Sequence, residues 1–257
     1  MNVRARPFPR GRDALLIFGT ITTWFSLLVL AQPFGGFPVN DDWSYASSVL
    51  SLVEGGEYSL CDWTSMPLFL QILWGWLFCL PAGFSFGALR LSGIVAGAVT
   101  LAITYTLLRR AGAAPVTAVV GTACLGFNPI FFNLSVSFMT DVPFLALSAT
   151  SLLFAANGLR ENRRGQLLVA ALAAAGACLI RQLGLSLPIA MVGAYLISRP
   201  VKFLRSDLLF VLLLLLVAIG PYLIYEGWLR SSGPVPAMYD VRTKEISRRI
   251  TCDPMSL

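Results

Sequence analysis

The sequence contains no histidine, and only 12% of its residues are charged. Without imidazole, Ser-His-Asp catalysis and histidine-ligated metals are excluded, so acid–base chemistry falls to Asp, Glu, Lys, Tyr or Cys. The five cysteines are scattered without a CxxC pair, which predicts neither a disulfide framework nor a zinc site. Soluble domains carry about 25% charged residues. The low charge, with 56% hydrophobic residues and a mean hydropathy of +0.74, therefore indicates a polytopic membrane protein.

Long apolar runs predict an all-α fold with about seven membrane spans, because a span needs roughly 20 apolar residues. The runs cover, in order, about residues 14–34, 88–108, 114–132, 142–158, 167–180, 183–198 and 206–225. The apolar segment 67–82 is ambiguous. If it does not cross, twelve basic residues fall on one side of the membrane, against Arg90 and Arg181 on the other before residue 226. Since Lys and Arg concentrate in cytoplasmic loops, this asymmetry predicts an interfacial or re-entrant helix at 67–82 and a cytoplasmic N-terminus.

This topology divides the chain into a cytoplasmic N-terminal segment 1–12, a transmembrane domain 13–225 and an external tail 226–257. The first external loop is expected to hold two interfacial helices, the second of them at 67–82. The formal net charge of +6 is explained by the basic cytoplasmic loops, so it requires no nucleic-acid partner.

Two adjacent carboxylates, Asp41 and Asp42, follow the first span on its non-cytoplasmic side. Apolar residues then recur at helical spacing until Gly55-Gly56, which predicts a short amphipathic helix with the acidic pair at its N-terminal end. Asn40 or Asp41 as an N-cap would explain one carboxylate but not two. Acidic residues at a membrane edge tend to be functional, so this pair is the first candidate for chemistry.

Three further charged positions on the same face have both a structural and a functional interpretation. Asp141 opens a span that contains Pro143, so it is either an N-cap or part of a site. Arg181, followed by Gln182, interrupts an apolar stretch. It is either a snorkelling arginine in a hairpin turn or an anion site, since Arg binds phosphate in a bidentate manner. Interfacial snorkelling alone would explain Arg90, which lies at the outer start of a span.

Taken in order, these segments resemble the membrane-embedded GT-C glycosyltransferases, in particular the branch related to aminoarabinose transferase and the protein mannosyltransferases. That family has an acidic pair followed by Tyr-Ala, a Gly-rich stop, a Pro-Leu-aromatic helix, an Ala-Arg-Leu, an Asp-x-Pro and a basic residue between two spans. The matching positions are Asp41-Asp42 with Tyr45-Ala46, Gly55-Gly56, Pro67-Leu68-Phe69, Leu89-Arg90-Leu91, Asp141-Val142-Pro143 and Arg181. The resemblance covers about residues 13–225. Family members are commonly twice this length, so the chain is expected to correspond to their N-terminal part, with a truncated tail.

The resemblance implies transfer of a sugar from a polyprenyl-phosphate donor to a lipid, glycan or protein acceptor, on the non-cytoplasmic face of a bacterial inner membrane. A carboxylate would take the acceptor's proton as general base, and Asp41 matches the family's first acidic position. Asp42 or Asp141 would orient the acceptor or hold a divalent cation. Arg181 or Arg90 would stabilise the leaving lipid phosphate. The implied catalytic residues are thus Asp41, Asp42 and Asp141, and the implied substrate-binding residues are Arg181, Gln182, Arg90 and Tyr45.

The alternative hypothesis is a protein without this activity: a lipid carrier, a transporter fragment or an inactive remnant of such an enzyme. A transporter should place its charged residues near the midplane of the bilayer. A GT-C enzyme should place them at the outer surface. The location of the charged residues therefore discriminates between the two classes.

Overall fold

The computed structural model describes residues 11–31, 35–198, 205–232 and 235–241. Within these ranges the chain is helical and contains no strand, so the expected all-α fold is confirmed. The helices are α1 (Gly11–Leu30), α2 (Asp42–Glu54), α3 (Phe69–Cys79), α4 (Phe86–Arg110), α5 (Pro115–Gly126), α6 (Pro129–Ser135), α7 (Asp141–Glu161), α8 (Arg164–Ile180), α9 (Ser186–Ser198) and α10 (Arg205–Ser232), with a 3₁₀ turn at Gln182–Leu185. A further helical turn covers residues 237–241.

Four helices are long and apolar enough to cross a membrane, namely α1, α4, α7 and α10. The pair α5 and α6 makes a fifth if it is counted as one broken span. Helices α8 and α9 have 17 and 13 residues, which is short of the roughly 20 that a straight span needs. The protein is therefore a multi-pass membrane protein, but the expected count of seven spans is not confirmed by helix length.

The segment expected to span the membrane at residues 114–132 is not one straight helix, because α5 and α6 meet at an angle of 67°. The break lies at Asn128-Pro129. The helical conformation is disfavoured for a residue that precedes a proline, as Asn128 does, and Pro129 itself has no backbone N–H to donate. The Asn128 side chain caps the new helix by accepting hydrogen bonds from the amides of Ile130 (2.9 Å) and Phe131 (3.3 Å).

Polar contacts between helices gather at two ends of the bundle. At one end, which we call the opposite end because it lies away from the acidic pair, three ion pairs join the helix termini. They are Asp13–Arg109 at 2.7 Å, Glu161–Arg110 at 3.2 Å and Asp207–Arg164 at 3.2 Å. These pairs tie the start of α1 to the end of α4, the end of α4 to the end of α7, and the start of α8 to the start of α10.

The other end, which we call the site end, contains the acidic pair. The segment from residue 35 to Arg90 stays there, because Arg90 binds the Gly35 carbonyl and the Leu68 amide donates to the Ile180 carbonyl at 3.4 Å. Helix α3 has 11 residues, or about 16 Å at 1.5 Å per residue. This length and these contacts agree with the expectation that residues 67–82 do not cross the membrane.

The two short helices nevertheless connect one end to the other. Helix α8 begins at Arg164, which pairs with Asp207 at the opposite end, and finishes at Ile180 at the site end. After Gln182, whose amide reaches the Ser65 carbonyl at the site end, α9 returns to the opposite end. There the Tyr195 hydroxyl donates to Asp207 at 2.9 Å.

Two glycines of α4 allow neighbouring segments to pack closely against this helix. A Cβ atom at Gly93 would lie 2.8 Å from the carbonyl oxygens of both Ser135 and Ser137, and one at Gly97 would lie 2.8 Å from the Trp24 ring. A larger residue would require a backbone shift at Gly93 and a displacement of the Trp24 side chain at Gly97. Small residues thus let the segment after α6 approach α4 closely, as is common in membrane helix packing.

Helix α10 and the segment after it pack on the first loop of the site end. The Tyr225 hydroxyl donates to the Pro67 carbonyl at 2.7 Å and lies 3.0 Å from the Tyr58 hydroxyl. Burial raises the pKa of Tyr58 to about 12, so this phenol stays protonated at neutral pH. The Met238 amide donates to the Asp62 carbonyl at 3.1 Å. The helix thus continues past the expected boundary at residue 225, and the described part of the tail lies at the site end.

Candidate active site

Tyr45 lies at the centre of the candidate site. It is the third polar residue of α2 to face inwards, after Asp42 and Ser44, and only 6% of its surface is exposed. The charged groups that act on its phenol are Asp41, Arg181 and Asp141. Burial, followed by the negative charge of Asp41, raises the pKa of Tyr45. The structure therefore places Asp41, Asp141 and Arg181, from three different helix ends, within electrostatic reach of Tyr45.

Asp141 and Arg181 form an ion pair at the site end. Asp141 is the first residue of α7, where a negative charge interacts favourably with the helix dipole. Arg181 follows the last residue of α8 in an extended conformation, with φ −142° and ψ 137°. Its guanidinium carbon also lies 5.8 Å from the centre of the Phe144 ring. Both side chains are partly exposed, 25% for Arg181 and 39% for Asp141, so the pair is open to a ligand.

Asp42 is fully buried and holds two segments together. One carboxylate oxygen accepts a hydrogen bond from the Val39 amide at 2.7 Å, and the other accepts from the Phe138 amide at 3.3 Å. Burial raises the pKa of Asp42, whereas these two amides and the Arg90 charge lower it. Both oxygens are therefore engaged by the protein's own backbone.

Asp41 differs from Asp42 in each of these respects. It occupies the N-cap position of α2, but its side chain makes no capping hydrogen bond. Its backbone carbonyl accepts from the amide and hydroxyl of Ser44 at 3.1 and 2.9 Å, and no side-chain hydrogen bond of Asp41 is formed with the described residues. The Asp41 carboxylate is exposed and acts electrostatically on Tyr45. Of the two adjacent carboxylates, Asp41 is thus the one that a substrate can reach.

Arg90 is only 2% exposed and contacts the loop between α1 and α2. Its two terminal nitrogens donate to the carbonyls of Gly35 and Phe37, both at 2.6 Å, and its guanidinium carbon lies 5.1 Å from the centre of the Phe37 ring. Its charge also acts on Asp42. In this arrangement Arg90 fixes the loop that leads to the acidic pair, and it does not project to the surface as a snorkelling arginine would.

Gln182 also contacts the backbone, since its amide nitrogen donates to the Ser65 carbonyl at 3.3 Å. The segment before α3 is thereby attached to the segment after α8. The segment before α3 also contacts the residue that precedes α7, since the Thr140 hydroxyl lies 3.5 Å from the Met66 sulfur. Gln182 therefore holds the segment that contains Ser65 close to the residue next to Arg181.

Sequence reasoning did not select Gln71, which lies completely buried below the site. Its amide nitrogen is 3.5 Å from the carbonyl of Phe138, the residue whose amide binds Asp42. Buried polar side chains in a membrane protein are costly and tend to have a purpose. The sequence pattern does distinguish this residue, because Gln71 is a lone polar residue inside the apolar segment 67–82.

The donor set does not favour the divalent cation expected from the resemblance. Asp42 uses both oxygens for backbone amides, and Asp141 is paired with Arg181. Within the described ranges, no group of three or more His, Cys, Asp or Glu side chains comes together. Cation sites of oxygen ligands need several carboxylates or carbonyls around one point. No chemical step is therefore assigned to a metal.

Fold and site together define a class: an all-α, multi-pass membrane protein with an accessible carboxylate and an arginine beside a buried tyrosine at one end of its bundle. The chain belongs to the dolichyl-phosphate-mannose-protein mannosyltransferase family, whose model matches residues 66–225, more than half of its length. The GT-C glycosyltransferase resemblance is thereby confirmed.

The fold has a counterpart of known structure. The structure of the S. cerevisiae protein O-mannosyltransferase Pmt1-Pmt2 complex bound to the sugar donor matches with a TM-score of 0.67 at 18% sequence identity. The match covers 87% of this chain and 34% of that chain, so the present chain spans about a third of its neighbour's length. No curated protein matches the sequence.

Proposed function

We propose that the protein is a membrane glycosyltransferase that moves a sugar from a polyprenyl-phosphate donor to a hydroxyl-bearing acceptor. The observation that carries the proposal is the exposed Asp41 carboxylate, placed with Arg181 and Asp141 around one buried phenol, Tyr45. Membership of a mannosyltransferase family supports the same reaction class. The neighbouring yeast complex is described as bound to its sugar donor.

In this proposal Asp41 is the general base. Its carboxylate accepts the proton of the acceptor hydroxyl while the hydroxyl oxygen attacks the anomeric carbon of the donor sugar. The bond between that carbon and the phosphate oxygen breaks, and its electron pair leaves with the lipid phosphate. Asp42 is less suited to this role, because it is fully buried and each of its oxygens already accepts a backbone hydrogen bond.

Arg181 is assigned to the lipid phosphate. The leaving group gains negative charge in the transition state, and a guanidinium stabilises it with two parallel hydrogen bonds. Arg181 is already held at the site by Asp141 and has a partly exposed side chain. Asp141 would then orient the guanidinium, and Gln182 and the Phe144 ring would limit its movement.

The transporter hypothesis is less well supported, because the charged residues of the site lie at helix termini. Asp41 directly precedes α2, Asp141 begins α7 and Arg181 follows the end of α8. A transport pathway would place such residues near the middle of long helices. An enzyme acting on a lipid headgroup needs them at the membrane surface.

We further propose that the site end faces the non-cytoplasmic side of a bacterial inner membrane and that the N-terminus is cytoplasmic. The opposite end carries a cluster of arginines at the termini of α4, α7 and α8, namely Arg109, Arg110, Arg160, Arg163 and Arg164. Excess Lys and Arg is the usual mark of cytoplasmic loops. A polyprenyl-phosphate donor is suited to a compartment without nucleotide sugars.

The test follows radiolabelled sugar from polyprenyl phosphate into acceptor in membranes that contain the native chain or a variant at equal level. Native protein is expected to transfer label. Asp41→Asn keeps the side-chain size and loses the base, so transfer should fall by about 10²–10⁴. Asp62→Asn is the matched control, because Asp62 is also exposed at the site end, and it should transfer normally.

Normal transfer by Asp41→Asn would reject Asp41 as the base. Equal loss in Asp41→Asn and Asp62→Asn would point to a general effect of removing negative charge at this surface. Failure of the native chain to transfer label from any polyprenyl-phosphate sugar would favour the remnant or transporter hypothesis.

A further inference from the structure

A cleft lies at the site end, beside the acidic pair but outside the ion pair of Asp141 and Arg181. It is formed by Val39 and Asn40, by helix α6 and by residues 137–139, and its volume is about 410 Å³. This volume falls within the range of about 300–1,000 Å³ that is usual for ligand pockets. Asn40, which lines the cleft, directly precedes Asp41.

The lining of this cleft is uncharged and combines apolar residues, such as Leu134 and Met139, with two exposed side-chain amides, Asn40 and Asn133. Ser137 also lines it, but this residue is buried and its hydroxyl donates to the Leu134 carbonyl at 2.9 Å. A side-chain amide both donates and accepts hydrogen bonds. Two amides next to apolar surface therefore suit a neutral ligand with many hydroxyl groups and apolar C–H faces.

The walls of the cleft are held in place by buried groups. Asp42 binds the amide of Val39, which lines the cleft, and the amide of Phe138, which lies in sequence between the lining residues Ser137 and Met139. Arg90 fixes the same loop through the carbonyls of Gly35 and Phe37. The cleft is thus part of the rigid structure that positions Asp41.

The backbone of the cleft has few donors left for an extended peptide. The Val39 amide is taken by Asp42, the Ile130 amide by the Asn128 side chain, and the Ser137 amide by the Leu134 carbonyl at 3.3 Å. Peptide recognition by strand addition depends on such backbone groups. The available partners are side-chain amides, which favours hydroxyl groups as ligands.

We infer that this cleft binds the neutral saccharide part of the acceptor and presents one of its hydroxyls to Asp41. The inference rests on the proposed glycosyl transfer and names its acceptor class: a glycan or glycolipid headgroup without charge. A peptide acceptor is the competing class, and the test below separates the two.

The experiment measures binding, not transfer, so it does not depend on the donor or on the proposed reaction. The full chain is placed in nanodiscs without glycolipid or glycoside detergent, and saturation-transfer NMR is recorded with two neutral trisaccharides, maltotriose and mannotriose. An uncharged peptide that contains serine and threonine serves as the second probe. The native chain is expected to saturate at least one trisaccharide more strongly than the peptide.

Two variants test the lining. Asn133→Leu removes one amide at similar size. Asn40→Gly removes the other and tolerates the local φ of +61°, which glycine adopts without strain. Each should weaken trisaccharide binding about three- to tenfold, as expected for the net loss of a hydrogen bond. Asn162→Gly is the matched control, because Asn162 has a φ of +52° and lies at the opposite end, and it should bind normally.

Three results would overturn the inference: no saturation of either trisaccharide by the native chain, binding that neither variant weakens, and stronger binding of the peptide that depends on Asn40 and Asn133. None of them bears on the proposed reaction. Conversely, normal trisaccharide binding by a chain that transfers no sugar would leave the cleft assignment intact and contradict the proposed function.

Discussion

The carboxylate of Asp141 and the guanidinium of Arg181, 40 residues apart in sequence, form an ion pair at the site end of the bundle. The pair joins the start of α7 to the end of α8. It holds the arginine at the site end, and a quarter of the Arg181 side chain remains exposed. This relationship leads to the first prediction.

Replacement of Arg181 should weaken donor use in a graded manner. Arg181→Lys keeps the charge and loses the bidentate fork, whereas Arg181→Ala loses both. Since a hydrogen bond to a charged group contributes about 1.5–3 kcal/mol, Arg181→Ala should lower kcat/KM for the polyprenyl-phosphate donor by roughly 10- to 100-fold, and Arg181→Lys by less. The measurement is transfer of radiolabelled sugar as a function of donor concentration.

The control for this series is Arg230→Ala. Arg230 is half-exposed at the same end and pairs with Glu226 at 3.1 Å, so its removal changes the surface charge equally. It should leave donor kinetics unchanged. Equal kinetics for Arg181→Lys and Arg181→Ala would contradict bidentate phosphate binding, and an unaffected Arg181→Ala would remove Arg181 from the site.

Asp42 should give the stability of the protein a specific dependence on pH. Burial raises its pKa in the folded state above the ordinary aspartate value of 3.8. At pH values between the unfolded-state pKa and the raised folded-state pKa of Asp42, the folded chain therefore binds more protons than the unfolded chain. Its contribution to stability is present at low pH and is lost as the pH rises through the folded-state pKa.

The measurement compares the thermal midpoints of the native chain and Asp42→Asn in nanodiscs from neutral pH down to about pH 4, a little above the unperturbed aspartate pKa. Ion pairs elsewhere weaken on acidification in both proteins, so the difference between the two midpoints isolates Asp42. The native chain should gain stability relative to the variant as the pH falls. A difference that does not vary with pH would contradict the assignment.

Tyr225 should stabilise the first loop of the site end through its hydroxyl. Tyr225→Phe removes the 2.7 Å hydrogen bond to the Pro67 carbonyl and leaves that buried carbonyl unsatisfied, which costs about 1–3 kcal/mol. Hydrogen exchange of residues 56–68 should become faster. Tyr58→Phe, which leaves the bond between Tyr225 and Pro67 in place, should have a smaller effect, and the reverse order would contradict this account.

The assignment of the two ends to two sides of the membrane is tested by cysteine labelling. Ser59 and Ala111 are exposed at the site end and the opposite end respectively. In a background with every native cysteine replaced by serine, Ser59→Cys should react with an impermeant maleimide from the outside of intact cells. Ala111→Cys should react only after the cells are opened. Labelling of both from the same side would disprove the proposed topology.

The sequence by itself determined the class of the protein and the approximate position of the site. Helical periodicity, run length and the distribution of arginines are local properties, and they were enough to predict an all-α membrane protein with an acidic pair at one face. They also predicted that residues 67–82 form a short helix, and α3 is such a helix. Local pattern did not reveal the break at Asn128-Pro129, because total apolar length there suited one span.

The tertiary structure alone decided what each charged residue does. Asp41 and Asp42 are neighbours of the same type, yet one is exposed and the other is buried because the Phe138 amide, 96 residues away, binds it. Arg90 and Arg181 likewise look alike in sequence, but one is enclosed by the carbonyls of residues 35 and 37 and the other reaches the surface. Burial and hydrogen bonding depend on segments that only folding brings together, and the energetic cost of an unpaired buried charge makes those partners decisive.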